Sequence, residues 1–278
     1  MKLLFIGGDR RMQNAAENMH EFGYEVSTYG LSPISGDLIC EEICVADAVI
    51  LPLPITKDNL TVTAPLTNEL IYIDDILNCS PKHIYGGVIS KALSETLNAK
   101  KIKHFDYYTN EPLTVKNAIL TAEAAISIAI KESDISLFKA NALVIGYGRI
   151  GKQLSSYLKA LGANVTATSR NDGTCAVIEA DGYNSKITQK VKSELDKFHF
   201  IFNTVPVPIM DRTFFSRCKE NCLVLDLATN ADNDFTAAKE YKINAGPYPG
   251  LPGKFFPISA GQIIAETIHS HITNQNIV

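Results

Sequence analysis

The sequence predicts an α/β protein made of two Rossmann-like domains with parallel sheets, joined by a long helix and closed by a returning C-terminal helix. Three observations predict it. Short apolar runs alternate with amphipathic stretches from the N-terminus onward, the rhythm of strand and crossover helix. In mid-chain the apolar run Ala142-Leu143-Val144-Ile145 leads directly into Gly146-Tyr147-Gly148-Arg149-Ile150-Gly151, a G-x-G-x-x-G turn. Between these regions Val115, Ile119, Ala122, Ile126, Ala129 and Ile130 recur every three to four residues, the period of an amphipathic helix. The expected division is residues 1–111 as a substrate-binding domain, 112–137 as the joining helix, 138–248 as the nucleotide-binding domain, and 249–278 as a loop and helix that return to the first domain.

Composition bounds the function. The chain has 278 residues, 46% hydrophobic and 20% charged, which suits a folded protein of about two domains. A net charge of −4 without basic runs gives no electrostatic footprint for nucleic acid or an acidic membrane surface. The first apolar run stops at Gly7-Gly8-Asp9, too short for the core of a signal peptide, and no run approaches the ~18 uninterrupted apolar residues of a membrane span. The expectation is a cytoplasmic enzyme of small molecules with reduced thiols. Six scattered cysteines (Cys40, Cys44, Cys79, Cys175, Cys218, Cys222) and six histidines show no zinc spacing and no H-E-x-x-H, so no metal is expected.

In the first domain the predicted strands are Lys2 to Ile6, Glu25 to Tyr29, Ala48 to Leu53 and His83 to Gly87, with a helix from Arg11 to Phe22. Gly7-Gly8-Asp9 opens that helix as half of a nucleotide fingerprint, so a substrate anion rather than a second dinucleotide is the expected guest. In the second domain, apolar runs near Leu143, Val165, Phe200 to Asn203 and Leu223 to Leu227 read as strands buried on both faces. Ser259-Ala260-Gly261-Gln262 has the form of a capping box before Ile263, Ile264, Thr267, Ile268 and Ile272, which places Ser259 as N-cap of the last helix.

The glycine turn has its chemistry in its spacing. The first glycine permits a tight turn, the second lets the backbone approach a pyrophosphate, and the third packs the helix against the strand. A helical run from Lys152 to Leu161 follows, Gly162 ends it, and Asn164 to Thr168 forms the next strand. At that strand's end an NAD site carries an acid for the ribose hydroxyls, whereas here Thr168-Ser169-Arg170-Asn171 offers a cation and a hydroxyl for a 2′-phosphate. NADP is therefore expected over NAD, with Asp172 as the nearest acid. Arg149 faces either the pyrophosphate or water, and Asn203-Thr204-Val205-Pro206, ending a strand, is expected beside the nicotinamide ribose.

Several separated motifs together resemble one family, the dipicolinate synthase A subunits of spore-forming bacteria. They are Ile6-Gly7-Gly8-Asp9-Arg10-Arg11, Asn117-Ala118-Ile119-Leu120-Thr121-Ala122-Glu123, the glycine turn with Arg149, Leu225-Asp226-Leu227-Ala228, and Pro249-Gly250-Leu251-Pro252-Gly253 followed by Pro257 and Ala260-Gly261-Gln262-Ile263. The chain departs from the family pattern at Thr229 to Phe235, where glycines are replaced, and at Leu120 and Ala124, where proline and glycine are usual.

The resemblance implies NADP-dependent oxidation of a dihydrodipicolinate, formed from the hydroxy-tetrahydrodipicolinate of the lysine pathway, to the aromatic pyridine-2,6-dicarboxylate. It also implies the flavoprotein B subunit of the synthase as partner in a hetero-oligomer, and the mother cell of a sporulating bacterium as location. A dicarboxylate needs two anion sites. Arg11 with Asp9 at the first helix supplies one candidate, and Lys254 with the Ser259 helix N-terminus the other. Asp226 and Glu123 are the candidate general bases. Two alternatives stand beside this reading: an NADP-binding protein that senses rather than catalyses within a flavoprotein complex, and a 2-hydroxyacid dehydrogenase. The second normally needs an arginine after the strand and a catalytic histidine, yet Asp226 to Asn230 holds no arginine and no histidine lies between His199 and His269.

Overall fold

The structure, a computed structural model, describes residues 1–32, 40–228 and 232–275. The departure from the family pattern at Thr229-Asn230-Ala231 lies outside the described residues.

The first sheet is built from β1 (Lys2–Ile6), β2 (Glu25–Tyr29), β3 (Ala48–Ile50), β4 (His83–Gly86) and β5 (Lys103–Asp106), all parallel, in the order β2-β1-β3-β4-β5. Its crossovers are α1 (Arg10–Glu21), α2 (Cys40–Val45), α3 (Ile73–Asn78) and α4 (Lys91–Ala99), followed by a 3₁₀ turn at Tyr107–Thr109 and the long helix α5 (Glu111–Lys131). The second sheet contains β6 (Asn141–Ile145), β7 (Asn164–Ser169), β8 (Asn184–Ile187), β9 (Phe200–Asn203), β10 (Leu223–Asp226) and β11 (Asn244–Pro247), again parallel, in the order β11-β10-β9-β6-β7-β8. Around it run α6 (Arg149–Ala160), α7 (Asp172–Ala180), a 3₁₀ segment at Thr188–Lys197, α8 (Arg212–Phe215) and α9 (Phe235–Glu240), and the chain ends in α10 (Leu251–Phe255) and α11 (Pro257–Asn274).

The chain divides into two compact units, Met1–Asn117 with Gly253–Val278, and Ala118–Pro252. In the first, Ile264, Ala265, Ile268 and Ile272 of α11 bury against Met12, Ala15, Ala16 and Met19 of α1. The approach is close because of Gly261, where an added Cβ would lie 2.5 Å from the Arg11 carbonyl oxygen. In the second, Phe200 and Phe202 on β9 are fully buried, each worth about 1.5–3 kcal/mol of transfer free energy. Strands β1, β6, β9 and β10 are buried almost throughout, which explains why they read as continuous apolar runs.

Several sequence expectations need correction. The edge strands β5, β8 and β11 show no apolar run because no position in them is fully buried. The third strand stops at Ile50 rather than Leu53. The joining helix stops at Lys131 rather than 137, where the Ser133 hydroxyl accepts the Ile135 N–H and turns the chain. Residues 251–255, expected as loop, form a short helix. The last helix begins at Pro257 with Phe256 as N-cap, so Ser259 lies within its first turn and does not cap it. Proline dictates this start, since its fixed φ and missing N–H suit the first helical position. Cys40 and Cys79, expected as free thiols, form a disulfide; they lie 39 residues apart, and only the packing of α2 beside the end of α3 reveals the pair. Helix α5 is long and apolar enough by composition to cross a membrane, but Lys116 and Glu123 interrupt it and Ala118, Ala122, Ala125 and Ala129 are packed in the protein interior.

Candidate functional site

Each sheet has a topological switch point, the place where crossovers leave in opposite directions and the carboxyl ends of two central strands open a crevice. In the second unit it lies between β6 and β9, and the predicted turn occupies it. Gly146 adopts φ +99°, and an added Cβ there would meet Thr204 Oγ1 at 2.5 Å. Gly151 lies so close to the Gly146 carbonyl that a Cβ would approach its oxygen to 2.1 Å. Gly148 has nothing within 4 Å of that position, so the backbone is open on that side. It is also the N-cap of α6 and supplies no side-chain hydrogen bond, which leaves the helix's first N–H groups unfilled by any cap. An open cradle at a helix N-terminus fits a pyrophosphate, whose charge the helix dipole favours.

The walls of this crevice are tied by hydrogen bonds. Thr204 donates from its backbone N–H and its hydroxyl to the Ile145 carbonyl, both at 2.9 Å. The Gly146 N–H donates to Thr168 Oγ1 at 3.3 Å, and Thr188 Oγ1 donates to the same hydroxyl at 3.0 Å. Thr168 is a site residue without a sequence signal of its own, because a buried threonine at a strand end looks like any other. Asn203 is fully buried and donates through Nδ2 to Val205 O (3.1 Å) and Asp226 Oδ1 (2.8 Å), which sets the course of the Asn203 to Pro206 loop beside the glycine turn.

Asp226 is 1% exposed, and its carboxylate is occupied: Oδ1 accepts from Asn203 Nδ2 and from the Ala228 N–H (3.2 Å), and Oδ2 from Asn233 Nδ2 (2.7 Å). Asn233 Oδ1 in turn accepts the Ile209 and Met210 N–H groups. The network therefore holds two loops at the strand ends, and Asn233 is a member that no sequence motif announced. Glu123 is exposed on α5. Ser169 is buried and accepts the Asn171 N–H at 3.3 Å, so its hydroxyl serves the turn into α7. Arg170 next to it is exposed and makes no ion pair among the described residues. Arg149 and Ile150 form the first turn of α6, with Arg149 exposed, while Val205 is half-buried and Pro206 exposed. Tyr147 turns away to Asp181, donating its hydroxyl at 2.7 Å; burial and that carboxylate both push its pKa up.

In the first unit the switch point lies between β1 and β3. Here Asp9 caps α1 by accepting the Arg11 N–H at 3.0 Å. The Arg11 side chain folds back on it, with Nε at 2.9 and 3.1 Å from the two carboxylate oxygens and Nη2 at 2.8 Å from Oδ2. Nη2 also donates to the Leu53 carbonyl at 2.6 Å. Gly253 lies against the guanidinium, where a Cβ would come within 2.7 Å of Nε. Arg11 is thus held in one orientation, its Nη1 unbonded among the described residues, and its side chain is 14% exposed. Lys254 and Ser259 are both exposed, in α10 and the first turn of α11. Among the described residues no cluster of three His, Cys, Asp or Glu is arranged to hold a metal.

Comparison with known proteins adds to this geometry. Residues 2–108 match the N-terminal domain of the dipicolinate synthase A subunit. The dipicolinate synthase A subunit of Bacillus subtilis (strain 168) is 29% identical over 280 aligned residues, covering 96% of this chain and 94% of that protein. The crystal structure of the dipicolinate synthase A chain from Bacillus subtilis superposes with a TM-score of 0.87 at 27% identity, covering 100% of this chain and 97% of that one. D-lactate dehydrogenase from Escherichia coli, in its apo-structure, shares the fold with a TM-score of 0.65 at 14% identity, over 99% of this chain and 98% of that one. In its N-terminal domain and along its whole length, the chain is similar to the A subunits of dipicolinate synthase.

Proposed function

We propose that this chain is an NADP-dependent oxidoreductase that converts a dihydrodipicolinate to pyridine-2,6-dicarboxylate, working with the flavoprotein B subunit of dipicolinate synthase in the cytoplasm of the mother cell of a sporulating bacterium. The observation that carries the reading is the uncapped, open helix N-terminus at Gly148, at the switch point of a chain similar to a dipicolinate synthase A subunit over 96% of its length. NADP, when bound, supplies the hydride acceptor. The chain's own residues do the rest. Gly146, Gly148 and Gly151 let the backbone approach the pyrophosphate, with Arg149 and Ile150 presenting the first turn of α6. Arg170, with no carboxylate partner among the described residues, is the cation available to a 2′-phosphate, beside Ser169. Asn203, Thr204, Val205 and Pro206 form the wall beside the nicotinamide ribose.

For the substrate, Arg11 offers one carboxylate its Nη1 N–H groups, oriented in advance because Asp9 holds Nε and Nη2 and Leu53 O accepts from Nη2. Lys254 and Ser259 are the candidates for the second carboxylate. The proton lost on aromatisation needs an acceptor. The three amide donors on Asp226 favour a positioning role for it, while the carboxylate of Glu123 is in contact with water. Glu123→Gln is then expected to lower kcat at least 100-fold with Tm and NADP affinity unchanged, and full activity in that variant removes Glu123 as base.

The direct test supplies the purified chain, alone and with its flavoprotein partner, with hydroxy-tetrahydrodipicolinate and either NADP or NAD, and follows the pyridine product by ultraviolet absorption. Product with NADP from the chain alone, as well as with the partner, is the expected result. Product formed without nicotinamide consumption, or none in both arrangements, overturns the proposal. Activity only with the partner present points to the sensing reading, which nucleotide titration of the isolated chain then checks.

A further inference from the structure

At the amino edge of the first sheet, opposite the edge that carries Gly7, Asp9 and Arg11, there is a cavity of about 420 Å³. His83 and Lys103 line it from the first positions of β4 and β5, Lys101 and His104 flank them, and His271 reaches it from α11. Every ionisable group in the lining is basic. Neither lysine has an ion-pair partner among the described residues. Both lysines are exposed, on a chain of net charge −4.

The three histidines differ in what they already bind. His104 uses both nitrogens, Nδ1 donating to Ile102 O (3.2 Å) and Nε2 accepting from the Ser94 hydroxyl (3.1 Å). His271 does the same, with Nδ1 at 3.2 Å from the Tyr85 hydroxyl and Nε2 accepting from the Gln275 amide at 3.0 Å. His83 is 7% exposed and stacks on Tyr85 at 4.7 Å, yet neither of its ring nitrogens has a hydrogen-bond partner among the described residues. Its nitrogens are not sealed from solvent, so of the three imidazoles in the lining it is the one whose N–H is available to a group that enters the cavity.

Lysines and histidines gather at helix C-termini for a different reason, to answer the terminal carbonyls. Here α4 closes its own end: Lys100 N–H bonds Thr96 O (3.0 Å), Lys101 N–H bonds Asn98 O (3.0 Å) and Ile102 N–H bonds Leu97 O (2.9 Å). The lysine side chains are therefore not needed as caps. The electrostatics agree with an unanswered positive field. His83 is pushed down to about 4, first by burial and then by His271, Lys103 and His104, with no acid among the causes.

We propose that this cavity binds a small oxyanion, a phosphate or carboxylate group held between Lys101 and Lys103 with His83 donating one ring N–H. The site is separate from Arg11 and independent of the reading of the nucleotide turn.

The test is an NMR titration of the full chain with histidine-labelled imidazoles, using inorganic phosphate and, separately, succinate at constant ionic strength in chloride. The His83 signal is assigned from its loss in His83→Gln. A saturable shift of that signal is expected, and the pKa of His83 rises from about 4 toward its ordinary value, since an anion favours the imidazolium. Response to phosphate alone identifies a phosphate site, and response to succinate alone a carboxylate site. Lys101→Ala/Lys103→Ala is expected to lose at least tenfold in affinity, while Lys57→Ala/Lys91→Ala and Arg11→Ala keep it. Absence of saturation with both anions, or full affinity in Lys101→Ala/Lys103→Ala, overturns the proposal.

Discussion

The two units present the same architecture at their switch points and opposite chemistry. In each, a buried first strand leads through glycines into a helix N-terminus beside the end of a neighbouring strand. At α1 the N-terminus is already filled, because Asp9 caps it and holds Arg11. At α6 it is empty, because the cap is Gly148. One carboxylate decides whether a strand-turn-helix corner leaves its backbone N–H groups uncapped or fills them and fixes a guanidinium beside them. The difference lies in the turn chemistry and leaves the fold unchanged.

The largest effect should come from giving the second corner the device of the first. Gly148 has φ −85°, ψ −160°, a conformation open to any residue, and free space where a side chain would go. Gly148→Asp therefore folds and caps α6, with Tm unchanged or raised. Its carboxylate takes the place of the pyrophosphate, and NADP affinity is expected to fall on the order of 100-fold, about 2.7 kcal/mol. Isothermal titration with NADP, beside a melting curve, measures both. Undiminished affinity would mean that the nucleotide does not use this turn.

The reverse experiment removes the fork from the first corner. Arg11→Ala is expected to raise KM for the dicarboxylate about 10- to 100-fold while NADP affinity stays as it was, the range for losing a charge-assisted hydrogen-bonded pair. Steady-state kinetics with each ligand varied in turn reads this out, and an unchanged KM refutes a carboxylate contact. A smaller change is expected at the rim of the nucleotide corner. Arg170 is exposed, so water screens its pairing; Arg170→Asp should weaken NADP about tenfold more than NAD, and equal loss for both removes the 2′-phosphate assignment.

Much of this was legible in the sequence, and the limits have physical causes. The glycine turn was readable because each glycine answers a separate steric demand, at Thr204, at open space and at the Gly146 carbonyl. Central strands were readable because burial on both faces demands apolar side chains without a break. Of the edge strands β2 was readable, but β5, β8 and β11 were not, since they bury only part of their length and mix lysine, asparagine and serine with apolar residues. At Ser259 a sequence rule failed because two start signals compete, and Pro257 acts earlier in the chain than the serine. Asp226 was visible as a carboxylate at the right strand end, but its three donors come from Asn203, Ala228 and Asn233. Such a network is a property of loops meeting in space, and no spacing encodes it.

The smallest expected effect concerns stability. Asp9→Ala deletes the α1 cap, which costs about 1 kcal/mol, and also releases Arg11 from its partner. The ion pair adds little beyond the cap, since Asp9 remains one-third exposed and solvent screens the charge. Melting should therefore shift by only a few degrees, while Arg11 gains rotamer freedom and loses its preset orientation. Substrate KM is expected to rise although a competing negative charge has been removed, because a free arginine must be ordered on binding. Tighter substrate binding in Asp9→Ala would show instead that repulsion by Asp9 outweighs its positioning of the fork, and the first corner would then differ from the second only by the charge it carries.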